Sequence, residues 1–249
     1  MSTIPKSHPR YESLMMREKL SDGFKKGFVH ETGLIAHGRG EAFDYLLGEK
    51  TSDQADIAIK TAAAVLCSAN RPVISLNGNV VALASKECVK LGKVIPAVLE
   101  VNLFHQSEKR VRLLIDELIK HGAEKVLGAN PTEHITGLEH NRGWCEKNGI
   151  YSADVVLVPL EDGDRCQALK KMGKYVITID LNPLSRTAKT ADITIVDNLT
   201  RTVPRLIYWV EKIKSKKIEK IDYLIKSWDN KNNLNSICQY ISKKMNIIQ

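Results

Sequence analysis

Asp154-Val155-Val156-Leu157-Val158-Pro159-Leu160, followed at once by Glu161-Asp162-Gly163-Asp164-Arg165, is an aliphatic run that ends in a polar, acidic turn. The run shows no polar–apolar alternation. That pattern belongs to a strand buried on both faces, hence to a parallel sheet covered by helices. A helix is expected over 164–172. Tyr175–Leu181 (YVITIDL) repeats the pattern, and Asn182-Pro183-Leu184-Ser185-Arg186-Thr187-Ala188 leads into a short helix. Ile193–Val196 reads as a last strand and 200–214 as a helix.

The same alternation runs upstream. Pro72–Asn77 (PVISLN) is a strand that passes through Gly78-Asn79 into a helix near 80–92. Ala97–Phe104 (AVLEVNLF) is a second strand. Ser107 caps a helix with Val111, Leu114, Ile115, Leu118 and Ile119 on one face, and Gly122 stops it. Lys125–Leu127 is a short third strand. Residues 129–152 read as a loop, long for a compact domain and therefore of functional interest. This order predicts an α/β fold: a Rossmann-like, doubly wound, mostly parallel sheet of five or six strands.

Helices flank this unit. Residues 9–28 read as a helix with Leu14, Met15, Leu20 and Phe24 recurring at near-helical spacing. Ala36-His37-Gly38-Arg39-Gly40-Glu41 reads as a glycine-rich loop before a second helix. Thr51 and Gln54 fit a capping box opening an alanine-rich helix to Ala69. In the tail, Ile218, Ile221, Leu224, Ile225 and Trp228 share a face. Asn230-Lys231-Asn232-Asn233 reads as a break, and Leu234, Ile237, Cys238 and Ile241 start another helix. The expected organisation is one α/β domain over 1–215, including an N-terminal helical segment 1–70, and a basic helical extension over 216–249. The extension docks on the body or on a second subunit.

With 249 residues, 43% hydrophobic and 27% charged, the chain is outside the collagen-like and disordered classes. No apolar run reaches the ~18–20 residues of a membrane span. The polar N-terminus does not fit a signal peptide, so a cytoplasmic protein is expected. Five cysteines without a C-x-x-C pair and seven histidines without metal-ligand spacing argue against a structural zinc site. P-loop and G-x-S-x-G motifs are absent, and Gly38-Arg39-Gly40 lacks the third position of a dinucleotide fingerprint. The net charge of +8 is concentrated at the end, where residues 211–249 carry nine lysines against four acidic residues. A lysine-rich solvated helical surface and a nucleic-acid-binding tail both fit that pattern.

In a doubly wound sheet, ligands sit beyond the carboxyl ends of the strands. Four loops occupy that position. Asn77-Gly78-Asn79 offers backbone N–H groups at a helix start to an anion, or is simply a tight turn. Glu161–Arg165 offers carboxylates and an arginine to a metal ion, hydroxyl or amine, or supplies Asp164 as a helix N-cap. In Asp180–Thr187 the strand-end aspartate suits ribose hydroxyls and Arg186 suits a phosphate, while an Asx-Pro turn explains the same residues. Asn198 suits a base edge or a helix cap. Arg17, Arg39 and His37 add two candidate anion ligands and a candidate acid/base.

The blocks 4–14 (IPKSHPRYESL), 33–49, 72–83 (PVISLNGNVVAL), 99–104, 148–165 and 176–198 (VITIDLNPLSRTAKTADITIVDN) resemble the archaeal 4-phosphopantoate–β-alanine ligases, or phosphopantothenate synthetases. The resemblance implies a homodimeric enzyme of coenzyme A biosynthesis. Its reaction joins (R)-4-phosphopantoate and β-alanine, with ATP giving AMP and diphosphate through an acyl-adenylate. It places ATP on Arg17, Arg39, Asp180, Leu181, Asn182, Arg186, Thr187, Asn198 and Leu199, with Mg²⁺ held by the phosphates. Asn77, Asn79 and Arg165 are then candidates for the phosphopantoate end. Asp162 or Asp164 would meet the β-alanine ammonium or the magnesium ion. His37, Asp162 and Asp164 are the candidates for proton transfer. No nucleic acid or membrane partner is implied. One rival is a non-catalytic nucleotide-binding module like the middle domain of thiamine-diphosphate enzymes. The other is a nucleic-acid binder acting through the tail.

Overall fold

The computed structural model describes residues 4–216 and 221–246; Ile218 lies outside the described residues. Three helices come first: α1 (Tyr11–Lys25), α2 (Glu31–Leu47) and α3 (Asp53–Ser68). Then follow β1 (Pro72–Leu76), α4 (Gly78–Val94), β2 (Val98–Val101), α5 (Glu108–Lys120) and β3 (Val126–Leu127). The 129–152 segment holds the short ribbon β4 (Glu133–His134) and β5 (Trp144–Cys145). The second half comprises β6 (Val155–Pro159), α6 (Gly163–Lys171), β7 (Tyr175–Ile179), α7 (Arg186–Thr190), β8 (Ile193–Ile195) and α8 (Leu199–Lys214). The tail forms α9 (Ile221–Lys226) and α10 (Asn230–Asn246).

The central sheet has six strands in the order β3-β2-β1-β6-β7-β8, all parallel. Its strands alternate between two apolar layers. Val155 and Leu157 belong to a core with residues of α1, α3, α4, α5 and α8; Val156 and Val158 belong to a second core with α6 and Ile135, Leu138, Cys145 and Ile150. The 129–152 segment thus covers the second face where a helix would otherwise lie. Buried Glu100 of β2 secures it by accepting from the Glu146 and Ile150 amides at 2.9 and 2.6 Å.

Local chemistry moves several expected boundaries. Gly38-Arg39-Gly40 lies inside α2, not in a loop. The His30 side chain caps that helix from seven residues upstream of His37, and Glu41–Leu47 continues it. Two glycines cost a helix only about 2 kcal/mol together, which a cap and packing offset. The buried seam of α1 is Ser13, Met16, Leu20 and Gly23, while Phe24 is 47% exposed. Gly23 sets that seam, because a Cβ there would lie 2.8 Å from Ala82 Cβ of α4. The cap of α3 is Ser52 rather than Thr51, whose hydroxyl instead donates to Asp197 at 2.6 Å. Asn230–Asn233 opens α10 instead of breaking a helix, with Asp229 accepting from the Asn232 and Asn233 amides.

Candidate active site

β1 and β6 lie side by side, and from them the chain winds towards opposite edges of the sheet. Asn77 spans that gap. Its Oδ1 accepts from the Val80 amide at the start of α4, and its Nδ2 donates to the carbonyls of Pro159 and Leu160, each at 3.1 Å. Leu160 adopts φ +55°, a left-handed conformation costing a non-glycine residue about 1–2 kcal/mol. Asn77 and the Leu160 N–H bond to the Ile179 carbonyl hold it there.

Two cavities adjoin at this point, both with Ala36, Asn79, Leu160 and Asp162 in their walls. The first, about 440 Å³, is bounded by α2, the start of α6 and the β7–α7 loop. The second, about 360 Å³, lies between the start of α4, α5 and the 129–152 segment. Both volumes suit small-molecule ligands.

The first cavity gathers His37, Arg39, Asn79, Asp162, Asp180, Leu181, Asn182, Arg186 and Thr187, nine of the residues singled out from sequence. Among the described residues, neither Arg39 nor Arg186 has an ion-pair partner within 4 Å. Gly163 lets Arg186 lie across the start of α6: a Cβ there would come within 2.5 Å of Arg186 Nε. Asp162 is the N-cap residue of α6 but makes no side-chain cap; the Arg165 amide is taken by Asp164, and the Gly163 and Asp164 N–H groups of the first turn stay open to an anion. Asp180 accepts from the Ser185 hydroxyl and the Asn182 amide; burial raises its pKa, against the pull of those bonds and of Arg39. Burial holds His37 below the usual imidazole range, and its enclosed Nε2 has no hydrogen-bond partner among the described residues.

The second cavity holds Asn77, Asn79 and Asp162 together with residues the sequence reading missed: His30, His105, Arg110 and Arg142. Among the described residues Arg110 is held by carbonyls, donating to Phe28 O at 2.7 and 3.2 Å and to His105 O at 2.8 Å. No carboxylate neutralises it among the described residues, and burial lowers its pKa. Gly78 is required beside it, since a Cβ would come 2.1 Å from the Phe28 carbonyl. His30 and His105 stack with ring centroids 3.7 Å apart. Arg142 donates to Asp162 at 2.7 Å and pairs with buried Glu161. Asn102 holds Arg142 in turn, through its Oδ1 and through bonds to the Arg142 and Trp144 carbonyls.

Five singled-out residues line neither cavity. Arg165 is fully buried beneath the turn, paired with Glu161 and bonded to the Ser75 hydroxyl, so it does not reach the phosphopantoate position expected for it. Asp164 turns away to His140 at 3.0 Å; burial alone would raise its pKa, but that bond and the Arg165 amide bring it below the usual carboxylate range. Arg17 forms a fork with Glu41 on the outer side of α2. Asn198 caps α8 and donates to buried Asp44 of α2 at 3.0 Å, and Leu199 is buried next to it.

A doubly wound parallel sheet with ligand-sized cavities at the carboxyl ends of its strands, on either side of the switch point, defines a Rossmann-like α/β protein. Residues 54–244 match the sequence family described as phosphopantothenate/pantothenate synthetase. The chain is 52% identical over 246 residues to the 4-phosphopantoate–beta-alanine ligase of Thermococcus kodakarensis, covering 98% of this chain and 94% of that one. The ligase of the same name from Thermococcus onnurineus shows the same identity and coverage, and that of Methanosarcina mazei is 51% identical over 245 residues, 98% and 96% of the two chains. The chain belongs to the phosphopantothenate/pantothenate synthetase family and is an enzyme of the ligase class. The matched stretch runs through most of α10, so the tail is part of what the family shares. Among the described residues no helix is long and apolar enough to cross a membrane.

Proposed function

We propose that this enzyme joins (R)-4-phosphopantoate to β-alanine with ATP, giving 4′-phosphopantothenate, AMP and diphosphate on the route to coenzyme A. Family membership supports the reaction class. The observation that carries the reading is the pair of adjoining cavities meeting at Asn79, Leu160 and Asp162. ATP occupies the first cavity, with its ribose at Asp180 and its phosphates at Arg39, Arg186 and the open start of α6. The phosphate of phosphopantoate occupies the second, at Arg110 and the start of α4, leaving its carboxylate at the shared wall.

There the carboxylate oxygen attacks the α-phosphorus, and diphosphate leaves. The β-alanine amine then attacks the acyl carbon of the adenylate, the amide bond forms, and AMP departs. The protein's contribution is to hold the reactants in line and neutralise charge. Asp162, fixed by Arg142, binds the incoming ammonium; neutral His37 accepts the proton lost as it becomes the attacking amine, and the second proton, lost as the amide forms, goes to the departing AMP phosphate or to water. Among the described residues no group of three or more His, Cys, Asp or Glu is placed to hold a metal ion. Mg²⁺ in this reading is carried by the phosphates. Arg17, Asn198 and Leu199 act behind the cavity, by fixing α2 and α8. Exposed Ile35, Tyr45 and Leu46 on α2 support a homodimer.

The test is an end-product assay with ATP and phosphopantoate, with and without β-alanine. AMP formation that needs phosphopantoate is expected; ADP and phosphate as products would overturn the reading.

A further inference from the structure

α10 touches both walls of the first cavity. At its start, Asn230 donates from Nδ2 to the carbonyls of Ala188 and Ala191 at 2.9 and 3.0 Å and accepts from the Thr194 amide at 2.8 Å. Asn233 donates to the Thr194 carbonyl at 2.9 Å. These bonds secure α7, which carries Arg186. Near its end, the Tyr240 hydroxyl and the Lys244 ammonium both donate to the Leu47 carbonyl, at 3.2 and 2.9 Å. Leu47 is the last residue of α2, which carries His37 and Arg39. Between these anchors, Leu234 and Ile237 join an apolar cluster with Leu47, Leu181, Ala188 and Phe43. Leu181 and Phe43 are themselves cavity walls.

We propose that α10 is a positioning strap of the nucleotide site, with Asn230 and the Tyr240–Lys244 pair as its two ends. The fourteen helical rises from Asn230 to Lys244 span about 21 Å, enough to bridge α7 and α2 as one rigid rod. No atom of α10 lies among the cavity-lining residues, so its action is indirect. It fixes the separation of two guanidinium groups, Arg39 and Arg186, that have no ion-pair partner within 4 Å among the described residues. The Leu47 carbonyl is an unsatisfied helix-end acceptor without these donors, and Gly48, at φ +90°, gives the Lys244 ammonium its approach. The strap rests on the reading of the first cavity as the ATP site.

The test uses the full chain carrying Tyr240→Phe and Lys244→Met, singly and together, with exposed Lys243→Ala as control. ATP binding is measured by calorimetry with ATP alone, and steady-state constants for all three substrates are measured in parallel. The double variant is expected to weaken ATP binding and raise the KM for ATP roughly tenfold, the loss of two hydrogen bonds. The KM for phosphopantoate should stay within about twofold, and Lys244→Arg should restore most of the loss. Unchanged ATP binding, or an equal rise in all three constants with a lower unfolding midpoint, would overturn the strap. Wild-type chain that binds ATP but forms no AMP would overturn the ligase reading alone. Failure of wild type to bind ATP would overturn both.

Discussion

The Asn77 side-chain amide donates to the Leu160 carbonyl at 3.1 Å, joining the ends of β1 and β6 where the two cavities meet. One side chain therefore caps α4 and holds the left-handed residue of the partition. Asn77→Ala removes the cap and leaves two carbonyls without their donor. A loss of about 2–3 kcal/mol is expected from those terms. Asn77→Asp keeps the cap but sets a carboxylate against the same carbonyls. It should retain more stability in urea unfolding than Asn77→Ala only if the cap outweighs that repulsion, yet both should lose AMP formation. Full activity in either variant would remove the partition from the mechanism.

Arg186 has no ion-pair partner among the described residues to lose, so its removal should spare the fold. Arg186→Ala is expected to slow AMP formation by roughly 10²–10³, the effect of deleting one preorganised phosphate ligand. A thermal midpoint close to wild type and near-normal turnover together would take Arg186 out of the site.

Gly163→Ala tests the same arginine without touching it. The added methyl would come within 2.5–2.9 Å of Arg186 side-chain atoms and must push them aside. Alanine otherwise favours the helix. The expected result is weaker ATP binding at undiminished stability; unchanged ATP binding would show that Arg186 keeps its place.

Asp180→Asn should raise the KM for ATP while leaving that for phosphopantoate unaltered, since Asp180 lines only the first cavity. An unchanged KM for ATP would count against the ribose role.

Glu100 gives stability a pH dependence of predictable sign. Burial pushes its carboxyl up to about 7, against the pull of the Ile150 and Glu146 amides. The folded state thus holds the proton that the unfolded chain releases near pH 4.5. Its contribution is fully present below that pH and is lost as pH rises through about 7. The stability of wild type relative to Glu100→Gln should fall from pH 5 to pH 8 by about 2.5 kcal/mol. A relative stability of wild type that stays flat, or rises with pH, would contradict the assignment.

Much of this was legible in the chain. Uninterrupted apolar runs located the five longer strands of the central sheet, and the rule that loops follow strand ends led directly to Asp162, Asp180 and Arg186. The resemblance blocks added the reaction. Arg165 was misplaced although its i,i+4 spacing from Glu161 pointed to the buried pair now seen. Arg110 and Arg142 were out of reach because their positions depend on distant partners, Phe28 and Asn102, that no local pattern connects to them. His30 hid for the opposite reason, since the glycines after it masked the helix it caps.

The partition at Leu160 has a chemical consequence. A mixed anhydride of phosphate and acid is prone to attack by water, and its loss would waste one ATP each time. In the reaction proposed above it forms at a wall between two pockets, moored by its own phosphate on one side and by adenosine on the other. Either mooring alone can let go and re-form before the molecule escapes, so in that reaction the reactive anhydride waits in place for the amine.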